Sequence, residues 1–298
     1  MKKLIIIFSF ISVVSFAQSA GNSGLAFLKF GFGARNIAMG DAGSSASNDL
    51  SALYYNPSRL ASFESNQAMF MHSEWIQDVT SEVGGIKWNM FDLPWAVGFN
   101  VTSVADIEVR DKPGEAISTF NANYFFLSLS SGFNVINNID FGATIKYLYE
   151  GILNDQSAGY GLDFGLNYFT PIKGLTASTV IRNIGSMNSL NLVGTKLPLD
   201  FRLGGAYNYN LPTAKLDLIA TGEFQKYLDN DDIHFNLGGE VVYNETFAVR
   251  AGYQTGYEAR GFTAGIGIEW SSLRFDYAYT PFSLGLGNAN QFSLQFSF

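Results

Sequence analysis

From residue 67 to residue 298 the chain is written in alternation. "IDFGATIKYLYEG" sets Ile139, Phe141, Ala143, Ile145, Tyr147 and Tyr149 on one side of an extended backbone. "GFTAGIGIEW" does the same with Phe262, Ala264, Ile266, Ile268 and Trp270. "YGLDFGLNYF", "DIHFNLGGEVVY", "TFAVRAGYQ" and "LRFDYAYT" repeat the pattern. The chain ends on it: in "NANQFSLQFSF", Phe292, Leu294, Phe296 and Phe298 oppose Gln291, Ser293, Gln295 and Ser297. A period of two over such lengths is the signature of β-strands. About fourteen such segments can be counted, and an even number closes a single-chain bacterial barrel.

The second face of these strands carries Lys146, Asp163, Arg202, Glu240, Arg250, Glu269, Arg274 and Asp276 among small polar residues. In a water-soluble sandwich that charged face is the outside. In a membrane barrel it faces the lumen and the aromatic face meets lipid. Three features favour the barrel. Short turns ("FDLP", "NVINN", "TPIKG", "NYNLPT", "YNET", "SS") alternate with longer polar links ("DIEVRDKPGEAIST", "GILNDQS", "GSMNSLNLVGTK", "QKYLDNDD", "TPFSLGLGNAN"), as at the two rims of an outer-membrane barrel. Trp88, Trp95, Tyr147, Tyr149, Tyr207, Tyr209 and Trp270 fall near segment ends, where aromatic girdles sit. Lys2 and Lys3, the apolar "LIIIFSFISVV" and the small residues of "SFAQSA" read as a secretory signal peptide over 1–19, cut near Ala17.

Composition agrees. Only 15% of residues are charged and 15% aromatic, with 31 glycines and no cysteine, which suits tight-turned β structure and excludes disulfides and thiolate metal sites. Cleavage removes two lysines and no acid, taking the net charge from −8 to about −10. An acidic chain without a basic patch argues against a nucleic-acid partner. The expectation is therefore an all-β chain: a transmembrane antiparallel β-barrel of about 14 strands over 67–298. Its mixed inward charges read as an ion-pair network holding the barrel's shape, with Arg274 beside Asp276 and Arg250 beside Glu240 or Glu269. A selectivity ring is the alternative, and the mixture of signs weakens it.

Residues 20–66 break the alternation. "SNDLSALYYNPSRL" starts on the cap-like Ser47-Asn48-Asp49 and reads as a helix running to Pro57, where Asn56 is turned out of the helical region. Gly31, Gly33, Gly40 and Gly43 permit close backbone packing. The segment is expected to be a helical hatch or plug inside or beneath the barrel; its apolar residues weigh against a loose tail.

Residues 27–61, "FLKFGFGARNIAMGDAGSSASNDLSALYYNPSRLA", resemble the N-terminal signature of the PorV/PorQ family, related to long-chain fatty-acid transporters of the FadL type. The resemblance implies a fourteen-stranded bacterial outer-membrane barrel with an N-terminal hatch, in which Gly33, Ala34, Arg35, Met39, Gly40, Asn56 and Pro57 are hatch positions. Two departures stand out: Gly40-Asp41 where the family shows Gly-Gly, and Asn56-Pro57-Ser58 where it shows Asn-Pro-Ala. The chain is also short for that family.

Nothing reads as catalytic, cofactor-binding or metal-binding. His72 and His234 stand alone, "GFGARN" lacks a complete phosphate-loop pattern, and "DNDD" at 229–232 lacks the glycine and glutamate of a calcium loop. Three functions follow. The resemblance implies a docking or shuttle barrel of the type IX protein secretion system, with secretion-system subunits or exported proteins as partners. The alternative is a FadL-like transporter of a hydrophobic ligand, and the third is a structural or porin-like barrel; all three sit in outer-membrane lipid. Docking draws attention to Leu190, Leu192, Val193, Phe282, Leu284 and Leu286 in the loops. Transport draws it to the Gly-Gly pairs at 84–85 and 204–205 and to Pro94, which read equally as kinks that open a wall and as ordinary bulges.

Overall fold

The computed structural model describes residues 25–190, 193–230 and 232–298. The signal-peptide reading, the first hatch residues, Leu192, the Val193 side chain and Asp231 lie outside the described residues. Fourteen strands close into an antiparallel barrel. In chain order they are β1 (Gln67–Glu74), β2 (Val79–Met90), β3 (Leu93–Val109), β4 (Ser118–Ile136), β5 (Ile139–Ile152), β6 (Asp155–Phe169) and β7 (Leu175–Met187). After a small hairpin, β8 (Ser189–Leu190) and β9 (Val193–Gly194), come β10 (Asp200–Leu211), β11 (Leu216–Tyr227), β12 (Ile233–Tyr243), β13 (Phe247–Gln254), β14 (Phe262–Trp270), β15 (Leu273–Pro281) and β16 (Asn288–Ser297). The ring shuts where β16 pairs with β1, Leu294 opposite Phe70. Closure leaves no unpaired edge in the ring, the condition for a sheet to stand in hydrocarbon.

Alternation decides what faces where. Phe292, Leu294 and Phe296 of β16 point outward, while Gln291, Ser293 and Gln295 are buried inside. Ile233, Phe235, Leu237 and Val241 are exposed on the outside of β12, and Phe247 and Val249 on β13. The last strand is thus uncovered because its apolar face is part of the barrel's outer surface. Trp88 and Trp95 face each other across the β2–β3 pair, next to the turn at 91–92.

Connections sort by rim. Those at 91–92, 137–138, 170–174, 212–215, 244–246 and 271–272 share one rim with the start of β1 and the end of β16. Phe91, Asp92, Asn244 and Glu245 have positive φ, as paired turn positions whose twist matches that of the strands. The opposite rim carries the segments at 75–78, 110–117, 188–199, 228–232, 255–261 and 282–287. One expected long link fails: β5 and β6 run through "GILNDQS" and leave only a turn at 153–154. The anticipated kinks fail too. Pairing passes through the Gly-Gly positions 84–85 and 204–205 and through Pro94 in regular register. The register shifts instead between Val104 and Ile107, Asn134 and Ile136, and Leu162 and Phe164.

The remaining described residues, 25–66, fill the lumen. They form a 3-10 turn (Ala26–Lys29), α1 (Ala34–Ala38), α2 (Ala52–Tyr55) and a second 3-10 stretch (Pro57–Ser62). The long helix expected across 47–56 is therefore a single turn at its end. Asp49 accepts hydrogen bonds from the Ser51 backbone N–H (3.0 Å) and hydroxyl, which fixes a side-chain-capped turn where the first helical turn was expected. Asn56 is extended, φ −161°, and Pro57 opens the next turn, as its restriction of the preceding residue requires.

Candidate functional site

The site is the seam between hatch and wall. Its first component is steric. A Cβ at Gly252 of β13 would lie 2.0 Å from the Gly40 nitrogen, and one at Gly142 of β5 2.2 Å from the Ser58 nitrogen. Hatch backbone thus lies directly against wall backbone, a distance only glycine allows.

Its second component is a closed ring of ion pairs. Arg35 of α1 grips Glu240 of β12 with two nitrogens, Nε at 2.8 Å and Nη2 at 2.7 Å. Glu240 also accepts from Arg250 Nε of β13 at 2.5 Å, and Arg250 Nη1 lies 2.8 Å from Asp276 of β15. Asp276 accepts from Arg274 Nε at 2.9 Å, Arg274 reaches Asp49 of the hatch, and Asp49 lies 3.6 Å from Arg35 Nη1. Three guanidiniums and three carboxylates alternate around the loop, two of the six from the hatch and four from the wall. Every charge has opposite charges on both sides, the condition under which buried ions are tolerated. Burial alone would raise the Asp49 carboxyl; Arg274 and Arg35 outweigh it and hold the group at about 2.

A second cluster lies on the adjoining strands, β7, β10 and β11. Asp200 of β10 accepts from Arg182 of β7 and from Arg202 Nε at 3.1 Å, and Arg202 donates to Glu223 of β11 at 2.8 Å. Arg182 also donates to the Tyr54 carbonyl at 3.1 Å, and Glu223 accepts from the Ser44 backbone N–H at 2.9 Å. Lys146 pairs with Asp163 at 2.8 Å nearby on β5 and β6.

The residues singled out in the sequence are distributed accordingly. Gly33, Ala34, Arg35, Met39, Gly40, Asn56 and Pro57 are all buried within the hatch. Arg274 and Asp276 pair, as do Arg250 and Glu240, whereas Glu269 is exposed at the rim and joins no ion pair among the described residues. Arg182, Asp200 and Glu223 were not singled out as ion-pair members, nor was Asp49, which stood out only as part of a helix cap. Asp200 could have been, since it shares a face with Arg202 two positions on. Asp49 could not, because its partner Arg274 lies 225 positions away.

Toward the long-loop side an apolar cluster joins hatch and wall. Leu25, Phe27, Leu28 and Phe32 of the hatch share a buried cluster with Phe126, Leu148 and Leu197, with Tyr124 and Met187 packed against it. Phe27 stacks on Tyr124 at 5.6 Å and Phe126 at 6.1 Å. Above it Phe30 stacks on Trp75 at 4.8 Å, Trp75 meets Phe282 edge-on, and the Lys29 ammonium lies 4.5 Å over the Tyr227 ring. On the short-turn side a cavity of about 540 Å³ opens, with Arg35, Asn48, Glu240, Arg250 and Arg274 among its lining. His72 is half-buried on β1 with Nδ1 2.6 Å from Glu82, while His234 stacks on Tyr257 at 3.9 Å. Among the described residues no three metal-ligating side chains come together.

Known structures share this architecture. The Pseudomonas putida toluene transporter TodX aligns with a TM-score of 0.63 at 14% identity, over 90% of this chain and 97% of that one. The CymD monoaromatic hydrocarbon channel aligns at 0.60 and 13% identity, over 93% and 99%. A Pseudomonas aeruginosa FadL homologue aligns at 0.55 and 15% identity, over 86% and 95%. The likeness is one of fold. No family model matches the chain, and no curated protein matches it.

Proposed function

We propose that the chain is a hatch-gated barrel of the bacterial outer membrane that takes up small hydrophobic molecules, held closed in this conformation. The observation that carries the reading is the apolar, aromatic cluster that hatch and wall form below the long-loop rim. There the chain's own Phe27 occupies a stack with Tyr124 and Phe126. A small apolar molecule entering from outside would gain the same burial by displacing that ring. The fold shared with TodX and CymD, a toluene transporter and a monoaromatic hydrocarbon channel by their descriptions, makes single-ring hydrocarbons the first molecules to try. In this reading the short-turn rim faces the periplasm, and the signal peptide directs export.

The docking role implied by the PorV/PorQ resemblance draws less support. Phe282 is packed against Trp75, Leu286 is half-buried, and among the described loop candidates Leu284 is the strongly exposed apolar residue, at 77%. The test is uptake of radiolabelled toluene, with a long-chain fatty acid in parallel, by cells with and without the barrel. Faster uptake with the barrel supports transport. Unchanged uptake, together with co-purification of large secretion-system subunits, reverses the order of the two readings.

A further inference from the structure

The two ion clusters differ in what lies beside them. Arg35, Glu240, Arg250 and Arg274 of the ring line the 540 Å³ cavity on the short-turn side. None of Arg182, Asp200, Arg202 and Glu223 of the second cluster does. Opening a buried ion pair without water leaves bare charges and is strongly opposed, whereas charges that move into a wet recess are rehydrated as they separate. The ring can therefore come apart where the second cluster cannot. On the far wall the hatch rests on apolar and backbone contact, Leu53 against Gly98 and Pro57 against Gly132 and Gly142. On β12 and β13 it makes the same kind of contact, Met39 against Gly238 and Gly40 against Gly252, and adds the ring, the part that loss of a charge undoes.

We infer that the barrel opens on one side, along β12–β15, and that the cavity beneath the ring is the exit vestibule through which cargo leaves toward the short-turn rim. The inference rests on the uptake reading and adds the place of the path and the character of the cargo. The vestibule is amphipathic. Ile219, Val242 and Ala248 give it an apolar wall, and Arg35 and Asn48 of the hatch, with Glu240, a polar ceiling. Its volume is room for roughly 18 water-sized groups at about 30 Å³ each. A small apolar molecule fits against that wall, and one that carries a polar end can set it against the ceiling as Arg35 and Glu240 part. Four cationic side chains (Arg35, Lys173, Arg250, Arg274) and four carboxylates (Asp217, Glu240, Glu245, Glu269) line it, so it sets no strong preference of sign.

The chain has no cysteine, so single thiols can be placed at will. The experiment measures planar-bilayer conductance of Glu240→Gln barrels carrying Ala248→Cys in the vestibule, or Asn134→Cys on the inner face of β4 at the same rim. Each is treated with a negatively charged methanethiosulfonate reagent. Expected are a several-fold rise in conductance from Glu240→Gln alone, loss of most of that rise on labelling Ala248→Cys, and no loss on labelling Asn134→Cys. A Glu240→Gln barrel that folds but stays sealed overturns the inference, as does block from Asn134→Cys equal to or greater than that from Ala248→Cys. Folding is read from the heat-modifiable shift on gels. If Glu240→Gln does not assemble, Arg274→Gln breaks the ring at a different wall contact and is read the same way. Conductance needs no cargo, so absent hydrocarbon uptake with vestibule-specific block would remove the proposed function and leave the path standing.

Discussion

Arg35 and Glu240, 205 positions apart in the chain, meet through two parallel hydrogen bonds of 2.8 and 2.7 Å with both side chains buried. A fork of this kind fixes orientation as well as distance, so it docks α1 on the wall in one pose. Removing one partner of a buried pair costs about 3–5 kcal/mol, because the survivor stays buried and unpaired. Arg35→Met and Glu240→Gln should each destabilise the closed barrel. Glu240→Gln should do more, because the second charged contact it removes is a hydrogen bond to Arg250, whereas the one lost in Arg35→Met is the 3.6 Å ion pair with Asp49. The double variant should lose less than the sum, by about 0.5–3 kcal/mol. Urea unfolding in lipid vesicles, followed by tryptophan emission, measures all three; strict additivity would mean that the pair is not coupled.

The hatch should also be removable by volume alone. Gly252→Val places its Cβ 2.0 Å from the Gly40 nitrogen and Gly142→Ala 2.2 Å from the Ser58 nitrogen, and in both cases the obstructing atom is backbone. Gly205→Ala meets nothing nearer than 3.7 Å. The first two barrels should assemble with a hatch that proteases cut and a raised conductance, while the third should match the parent. Limited proteolysis of the folded barrels separates the outcomes.

These two features mark how far the sequence could be read. The barrel was legible because burial of a strand repeats every second residue, so Leu294 and Gln295 declare their faces without knowledge of any neighbour. Arg274 and Asp276 were legible as a pair for the same reason, two positions apart on one face. Hatch conformation was not, because the turn at Asp49 and Ser51 is held partly by Arg274 on the wall, and tertiary contacts override local helix preference. Nor were the wall glycines. Neither Gly252 nor Gly142 has a glycine beside it in the sequence, and only the seated hatch reveals them as points of contact.

Acid should unlock the ring through Asp49. Its carboxyl is held at about 2 against an ordinary 3.8. A depressed acid contributes stability that is complete above its ordinary value and disappears as pH falls through the depressed one. Hatch closure should therefore be insensitive to Asp49 ionisation between pH 5 and 8 and weaken from about pH 4 down to about pH 2. Asp49→Asn should remove that step and show its weakened closure at every pH. Conductance recorded across the titration checks both, and a step near neutrality in the parent would show that another group controls closure.

The outer face should reject charge in proportion to depth. Ile266 stands outward at mid-strand on β14 and Trp270 at its end beside the turn, 53% and 78% exposed. Arginine at the hydrocarbon midplane costs about 2–4 kcal/mol and near the interface about 0–1. Ile266→Arg should thus impair folding into vesicles far more than Trp270→Arg. Equal effects would mean that this face does not meet lipid.

Phe27 should set the rate of entry if its seat is the cargo's seat. The ring is 3% exposed and held by Tyr124 and Phe126. Truncating a buried phenylalanine to alanine forfeits about 3–5 kcal/mol of packing, whereas leucine, close in volume, gives up less, about 1 kcal/mol. Both changes loosen the hatch's hold on the apolar cluster and leave a space that an aromatic molecule can fill. Initial uptake of labelled toluene, at matched amounts of barrel in the membrane, should rise in the order parent, Phe27→Leu, Phe27→Ala. The ring-breaking Arg35→Met should raise it as well, since seat and ring hold the same hatch from opposite ends. If uptake falls in Phe27→Ala while Arg35→Met accelerates it, then the ring contributes to binding the cargo rather than competing with it.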